Sequence, residues 1–192
     1  NVNFNDFNKT IKEIENFISI VGEHPKFIGW VSVERVLAQK MPSVYDDCPS
    51  FENQKYLLRL VNENDLHDLH KVYSDKKAVP FFNGDNCHGD DFYYQTVERM
   101  KQAIDFWSFS YKNQYFVRWI IFDKSINQAI GTIELFHRDS EKDFFNNCGL
   151  LRLDLRSDYE KSSEIQNILS LIIPKTFDLF DCDKIATKCW QN

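Results

Sequence analysis

The side chains that could do chemistry in this chain mostly stand alone. His67 and His70 lie three apart, and Cys87-His88 lies close to Asp90 and Asp91. A helical histidine pair binds zinc when third and fourth ligands follow at a defined spacing. None follows here, so no metal is expected. Cys48, Cys87, Cys148, Cys182 and Cys189 are scattered, odd in number and free of any CxxC pair. That pattern reads as the reduced thiols of a cytoplasmic protein rather than a disulfide frame. Cys148 opens an apolar stretch, but no His and Asp pairing marks it as a nucleophile. Phe92, Tyr93, Tyr94, Phe106, Trp107, Phe109 and Tyr111 crowd one region. Such rings either fill a core or line a pocket.

The elements that would carry these residues can be read from periodicity. Phe4, Phe7, Ile11, Ile14, Phe17, Ile18 and Val21 recur at helical spacing, which predicts an amphipathic helix over 5–21, ended by Gly22 and Pro25. In KFIGWVSVERVLAQKM, Val31 and Val33 alternate like a strand, while Val33, Val36 and Leu37 space like a helix. The reading favours a helix from Ser32 to Gln39. PSVYDDCPSFENQ is a turn-rich linker. Beyond it come a strand in KYLLRLV, a helix capped by Asn62 or Asn64, a loop with two glycines, and a long helix from Asp91 to about Tyr111. Two strands follow, Phe116–Asp123 and Ala129–His137, joined by a turn. A polar turn leads to the strand NCGLLRLDL, a helix in SSEIQNILSLIIPKTFDLF kinked or shortened by Pro174, and a last strand in DKIATKCW.

Composition narrows the function. The chain has 192 residues, 43% of them apolar, with 17 phenylalanines, so it can build a core. A net charge of −6 disfavours a nucleic-acid surface. No run of about 18 apolar residues is present, so no membrane span is expected. The polar start lacks the layout of a signal peptide.

RWIIFDKSINQAIGTIELFHR resembles the paired central strands of the GCN5-related N-acetyltransferases (GNAT), in the branch that includes ribosomal-protein N-acetyltransferases. The correspondence runs through Trp119, the run Ile120 to Phe122, the turn Asp123 to Asn127, and Ile130-Gly131-Thr132-Ile133. YLLRLVNENDLHDLHKVYSD is similar to the family's first strand and helix. LRLDLRSDYEKSSEIQNILSLIIPKTFDLFDCDKIATKCW is similar to its fourth strand, cofactor helix and fifth strand. The resemblance covers about 135 residues and implies an α/β (α+β) fold: a mixed, mostly antiparallel central sheet flanked by helices. Residues 1–50 fall outside it as an N-terminal helical extension to a domain over 51–192.

The resemblance implies acetyl-CoA as cosubstrate and an amine acceptor, either a small molecule or a protein N-terminus, with no nucleic-acid or membrane partner. The family's pyrophosphate loop, Arg/Gln-x-x-Gly-x-Gly/Ala, corresponds here to Glu160, Lys161, Ser162, Ser163, Glu164 and Ile165. Backbone N–H groups at a helix N-terminus bind phosphate. Glu160 departs from the family pattern and is expected to set a negative charge at an exposed rim, weakening CoA binding in a way that Glu160→Arg relieves. Ile165 blocks the phosphates unless it turns into the core. Main-chain groups of Leu153, Asp154 and Leu155 would hold the pantetheine and polarise the thioester carbonyl. Direct attack needs a neutral amine, hence a proton acceptor. Glu134, His137 and Asp154 are the candidates. Glu134 and His137 alternate with apolar Ile133 and Phe136 and can equally face solvent.

Two expectations concern the ends. The apolar face of the N-terminal helix, with Phe4, Phe7, Ile11, Ile14 and Ile18, must be covered by the main domain or by a partner chain. A sheet that stops at the last strand leaves an open edge, which a longer chain or a second copy, as in a homodimer, would cover.

Overall fold

Four helices and seven strands build the computed structural model, which describes residues 4–23, 29–34, 43–82 and 87–189. The helices are α1 (Phe4–Glu23), α2 (Leu66–Tyr73), α3 (Val97–Lys112) and α4 (Ser162–Phe180). The strands are β1 (Gly29–Glu34), β2 (Phe51–Glu52), β3 (Tyr56–Leu60), β4 (Val117–Asp123), β5 (Gln128–Arg138), β6 (Cys148–Leu155) and β7 (Lys184–Cys189). Their order in the sheet is β1-β7-β6-β5-β4-β3-β2. This is the mixed, mostly antiparallel α/β arrangement expected from the sequence. Contacts divide the chain into two units, one of Asn1–Asp47, Leu135–Leu151 and Lys161–Asn192, the other of Cys48–Glu134 and Arg152–Glu160.

In the first unit, β1 pairs antiparallel with β7 from Gly29↔Cys189 to Glu34↔Lys184. The helix expected from Ser32 is therefore a strand as far as Glu34, and the rest of that segment lies outside the described residues. The alternation of Val31 and Val33 prevails because β7 offers a full row of backbone partners, and tertiary pairing overrides a weak helical spacing. The same pairing covers the edge of β7, which was expected to lie open. On its other side β7 pairs parallel with β6, from Cys148↔Lys184 to Leu151↔Thr187.

α1 packs on α4 and β1. It buries Ile14, Phe17, Ile18 and Val21, whereas Ile11 is 37% exposed. The buried stripe is thus rotated from the expected face. The side chains of Phe4 and Phe7 lie outside what is described. α4 buries Ile165, Ile168, Leu169, Ile172, Ile173, Phe177 and Phe180. It runs through Pro174 without ending, because that residue sits on an exposed face. It stops at Asp181, whose left-handed conformation (φ 45°) turns the chain so that the Cys182 N–H also donates to the Phe177 carbonyl, at 3.1 Å.

In the second unit, β3 lies antiparallel between β2 and β4, with Tyr56↔Asp123 and Leu60↔Trp119 in register. Sheet neighbours β4 and β5 are joined by the four residues 124–127, too few for a parallel crossover. Asn62 accepts from the Asn64 N–H, and its own N–H donates to Asp65, a capping box that starts a 3-10 turn leading into α2. α3 starts later than expected. Asp90 and Asp91 accept the N–H groups of Phe92 and Tyr93 in local turns, and Phe92 takes a φ of +57°. Thr96 then caps the helix by accepting from the Arg99 N–H. Leu69, Val72, Tyr73, Met100, Ile104 and Trp107 form the core of this unit with Phe92 and Tyr94. The aromatic stretch thus divides between core and surface, with Phe106 and Phe109 exposed.

Candidate active site

Charged residues of the second unit stand on three strands: Arg118 on β4, Glu134 on β5, and Arg152 and Asp154, two apart, on β6. Alternate residues of a strand share a face. All four are buried, and the sheet joins them into one network. Arg118 is 1% exposed. Its Nη2 donates to Glu134 Oε2. Its Nη1 donates to Asp154 Oδ2 at 3.2 Å, to the Tyr73 hydroxyl at 2.9 Å and to Thr132 Oγ1 at 2.9 Å. The Tyr73 hydroxyl, at the last residue of α2, donates to Asp154 Oδ2 at 2.8 Å. Arg152 Nη1 lies 3.7 Å from Glu134 Oε1, and its Nη2 lies 3.0 Å from Cys87 Sγ. Aromatic faces complete the walls: the Arg118 guanidinium sits 4.1 Å from the Trp107 ring centre and that of Arg152 sits 4.5 Å from Phe92. Guanidinium groups favour such stacking when removed from water.

A buried charge is tolerated only when paired and hydrogen-bonded. Here the pairing is uneven. Glu134 has an arginine at each oxygen. Asp154 has two donors at Oδ2, while its buried Oδ1 has no hydrogen-bond partner among the described residues. Burial pushes the Asp154 carboxyl above its ordinary range, against the pull of Arg118 and Arg152. Burial and the Asp154 charge also raise Tyr73 well above its usual value, so the phenol stays protonated as a donor. Burial works against the Arg118 cation, but Glu134, Tyr73 and Asp154 outweigh it and push its pKa up.

Main-chain geometry ties β6 to β5 closely. A Cβ on Gly131 would lie 2.2 Å from the Asp154 carbonyl oxygen and 2.9 Å from Leu155 Cδ2. The Arg156 N–H donates to the Ile130 carbonyl at 2.9 Å. Glycine is therefore required at the centre of the IGTI strand by close approach. Asp154 and Leu155 are fully buried, and Leu153 is half-buried.

After β6 a 3-10 turn over Ser157–Tyr159 leads to Glu160, whose N–H donates to the Ser157 carbonyl. Glu160 is half-buried, not an exposed rim charge as expected. Burial first, and then the negative charge of Asp154, push its carboxyl up to about 8.

The start of α4 belongs to the first unit. Lys161 is its N-cap and makes no side-chain cap; the Glu164 and Ile165 N–H groups donate to the Lys161 carbonyl. The N–H groups of Ser162 and Ser163 are then among those an α-helix cannot satisfy internally. Ser163 is exposed, and Ile165 is buried, 4% exposed. The branched side chain therefore does not stand over the helix terminus. These residues fit a phosphate group.

Glu134 and Asp154 meet through Arg118. His137 is exposed in the first unit, its Nε2 2.8 Å from Asn147 Oδ1. Sequence reasoning missed Arg118, Arg152 and Tyr73. The charged alternation of LLRLDL and the lone arginine in FVRWIIF carried the signal, since charges at apolar-strand positions need buried partners. No group of three or more His, Cys, Asp or Glu among the described residues could hold a metal, and no described helix is long and apolar enough to cross a membrane.

No family model and no curated protein matches the chain. Solved structures do. A ribosomal-protein-S5-alanine acetyltransferase from Vibrio fischeri superposes with a TM-score of 0.51 at 20% identity, covering 67% of each chain. A putative ribosomal-protein-serine acetyltransferase from Vibrio cholerae gives 0.47 at 13% identity over 68% of each chain. At 20% identity the first of these speaks to the fold alone. With the strand order, the hairpin and the β6–α4–β7 succession already in place, the fold of this chain is that of the GNAT acetyltransferases.

Proposed function

We propose that the protein is an N-acetyltransferase that moves an acetyl group from acetyl-CoA to an amine by direct attack in a ternary complex. The observation that carries this reading is β6. Its parallel register ends at Leu151↔Thr187, and the strand continues through Leu155. The main chain of Leu153, Asp154 and Leu155 would take the pantetheine arm as an added strand, and a backbone N–H would polarise the thioester carbonyl. Ser162 and Ser163 at the start of α4 would hold the pyrophosphate with their N–H groups, aided by the helix dipole, with Lys161 adding a positive charge. Glu164 and Ile165 then form the first helical turn behind them.

Among the candidate bases, Glu134 is occupied by two arginines and serves to hold them. Asp154 keeps an open oxygen. His137 has its Nε2 2.8 Å from Asn147 Oδ1. The acceptor is an amine, of a small molecule or of a protein N-terminus.

A second reading, a GNAT-fold binding module with weak catalysis, is favoured by Glu160, which takes the place of the family's cation or amide. Calorimetry with CoA and a thiol-release assay with acetyl-CoA and a panel of amines separate the two. Micromolar binding with amine-dependent thiol release supports the enzyme. No binding at about millimolar CoA, a binding free energy weaker than about −4 kcal/mol, supports the module.

A further inference from the structure

Two carboxylates grip the turn that leaves β6, and both do so in the same manner. Asp75 lies two residues beyond the end of α2, and Asp123 is the last residue of β4. Each uses Oδ1 to fix itself on its own turn. Asp75 Oδ1 accepts the Lys77 N–H at 3.0 Å, and Asp123 Oδ1 accepts the Ser125 N–H at 2.8 Å and the Ser125 hydroxyl at 2.5 Å. Each then reaches the turn after β6 with Oδ2. Asp75 Oδ2 accepts the Ser157 N–H at 2.9 Å, and Asp123 Oδ2 accepts the Tyr159 hydroxyl at 2.8 Å. The Tyr159 ring also lies 5.8 Å from Lys55 Nζ and 5.2 Å from the Arg156 guanidinium. With the Arg156 N–H on the Ile130 carbonyl, residues 156, 157 and 159 are tied to β5, to the end of α2 and to the end of β4.

We propose that Asp75, Asp123 and Tyr159 are positioning residues for the cosubstrate: through the turn over Ser157–Tyr159 they hold the main chain of Leu153, Asp154 and Leu155 where the thioester arm pairs with it. The inference rests on the acetyltransferase reading above and names residues that serve its acyl-CoA site.

The reason for such a grip lies in β6. Leu153–Leu155 lies past Leu151, where the register with β7 ends. A strand end frays unless the segment beyond it is tied down. Pairing with a ligand's amides requires main-chain groups held within about 0.5 Å of the productive geometry, and a misplacement of about 1 Å costs about 100-fold. Apolar packing would stabilise the turn, but hydrogen bonds to carboxylates also fix its direction. Asp123 is 1% exposed. Burying that charge is costly, and its three donors, two from Ser125 and one from Tyr159, offset the cost.

The ionisation states suit this role. Burial works against the Asp75 carboxylate, but its bonds to Ser157, Lys77 and Ala78 outweigh it and hold the group below the ordinary carboxylate range. Burial likewise opposes Asp123, and the bonds to Ser125 and Tyr159 outweigh it. Burial first, and then the bond to Asp123, push the Tyr159 phenol up to about 12. The acceptors therefore stay charged and the phenol keeps its proton throughout the neutral range.

Tyr159→Phe and Asp75→Ala each remove one grip. The measurements, on the full chain, are the Kd of CoA by calorimetry, the Kd of adenosine 3′,5′-bisphosphate (which carries phosphates without the arm), melting temperature, and kcat and KM for acetyl-CoA with a short peptide bearing a free α-amino group and with a polyamine. Each variant should weaken CoA binding and raise the KM of acetyl-CoA by about tenfold. Each should leave kcat and the KM of the amine within about twofold and the bisphosphate Kd unchanged. Asp75→Asn still accepts from the Ser157 N–H and should keep most of the affinity. An unchanged CoA Kd in both Tyr159→Phe and Asp75→Ala overturns the inference. So does a loss shared equally by CoA and the bisphosphate, or a fall in kcat and melting temperature with the KM of acetyl-CoA unchanged, which marks a purely structural role. These outcomes leave the acetyltransferase reading standing where the wild type binds CoA and transfers the acetyl group. If the wild type binds CoA but acetylates neither amine, the Kd values alone decide the inference. A wild type that does not bind CoA overturns both.

Discussion

Arg118 sets the energetics at the scale of single residues. It is fully removed from water in a strand whose other side chains are apolar up to the terminal Asp123, and it contacts Glu134, Asp154, Tyr73 and Thr132. Removing one partner of a buried ion pair leaves the other uncompensated, which costs about 3–5 kcal/mol. Arg118→Ala is therefore expected to lower the unfolding free energy by about that amount in urea titrations, and an effect under about 1 kcal/mol would show that the network is not held together by this side chain. Glu160 makes a prediction about pH. Its folded carboxyl is raised from 4.5 to about 8, so the folded state binds a proton that the unfolded chain has released. The associated stability is complete below pH 4.5 and is lost as pH rises through about 8. Melting temperature should accordingly fall between about pH 5 and about pH 9 in the wild type, and fall less in Glu160→Gln. An identical slope in both proteins would contradict it. Asp154 was legible as a candidate from its place in LRLDL. Its partners were not, because they come from strands and a helix far away in sequence.

At the scale of elements, Gly131 and Pro174 carry opposite lessons. A Cβ on Gly131 would meet the Asp154 carbonyl oxygen at 2.2 Å, and backbone cannot yield as a side-chain tip can. Gly131→Ala should destabilise by about 1–3 kcal/mol or more, measured by chemical denaturation; a neutral effect would mean that β5 and β6 are farther apart than described. Pro174 lies inside α4 on an exposed face, where it removes a helical hydrogen bond. Pro174→Ala is expected to raise stability, by up to about 3 kcal/mol. The hairpin of β4 and β5 was readable because both strands alternate and a short polar turn separates them. The start of α3 was not, because the local turns of Asp90 and Asp91 compete with helix through their own side chains.

At the scale of the whole molecule, the N-terminal segment is part of the sheet. β1 covers β7, and α1 buries its apolar stripe with α4. Deleting residues 1–34 should uncover a strand edge and an apolar helix face together, and the truncated chain should self-associate in light scattering. A monodisperse truncated monomer with unchanged melting temperature would contradict this role.

The order of elements from β3 onward, the position of the central hairpin and the place of α4 were legible along the chain. These follow from local periodicity, turn chemistry and capping, all of which act within about ten residues. The chain also marked Glu134 and Asp154. Packing between distant segments was needed to make residues 29–34 a strand, to turn Ile165 into the core and to join Glu134 to Asp154 through Arg118. Each of these depends on a partner far along the chain, whether a backbone edge, an apolar surface or a counter-charge. No local pattern encodes such a partner.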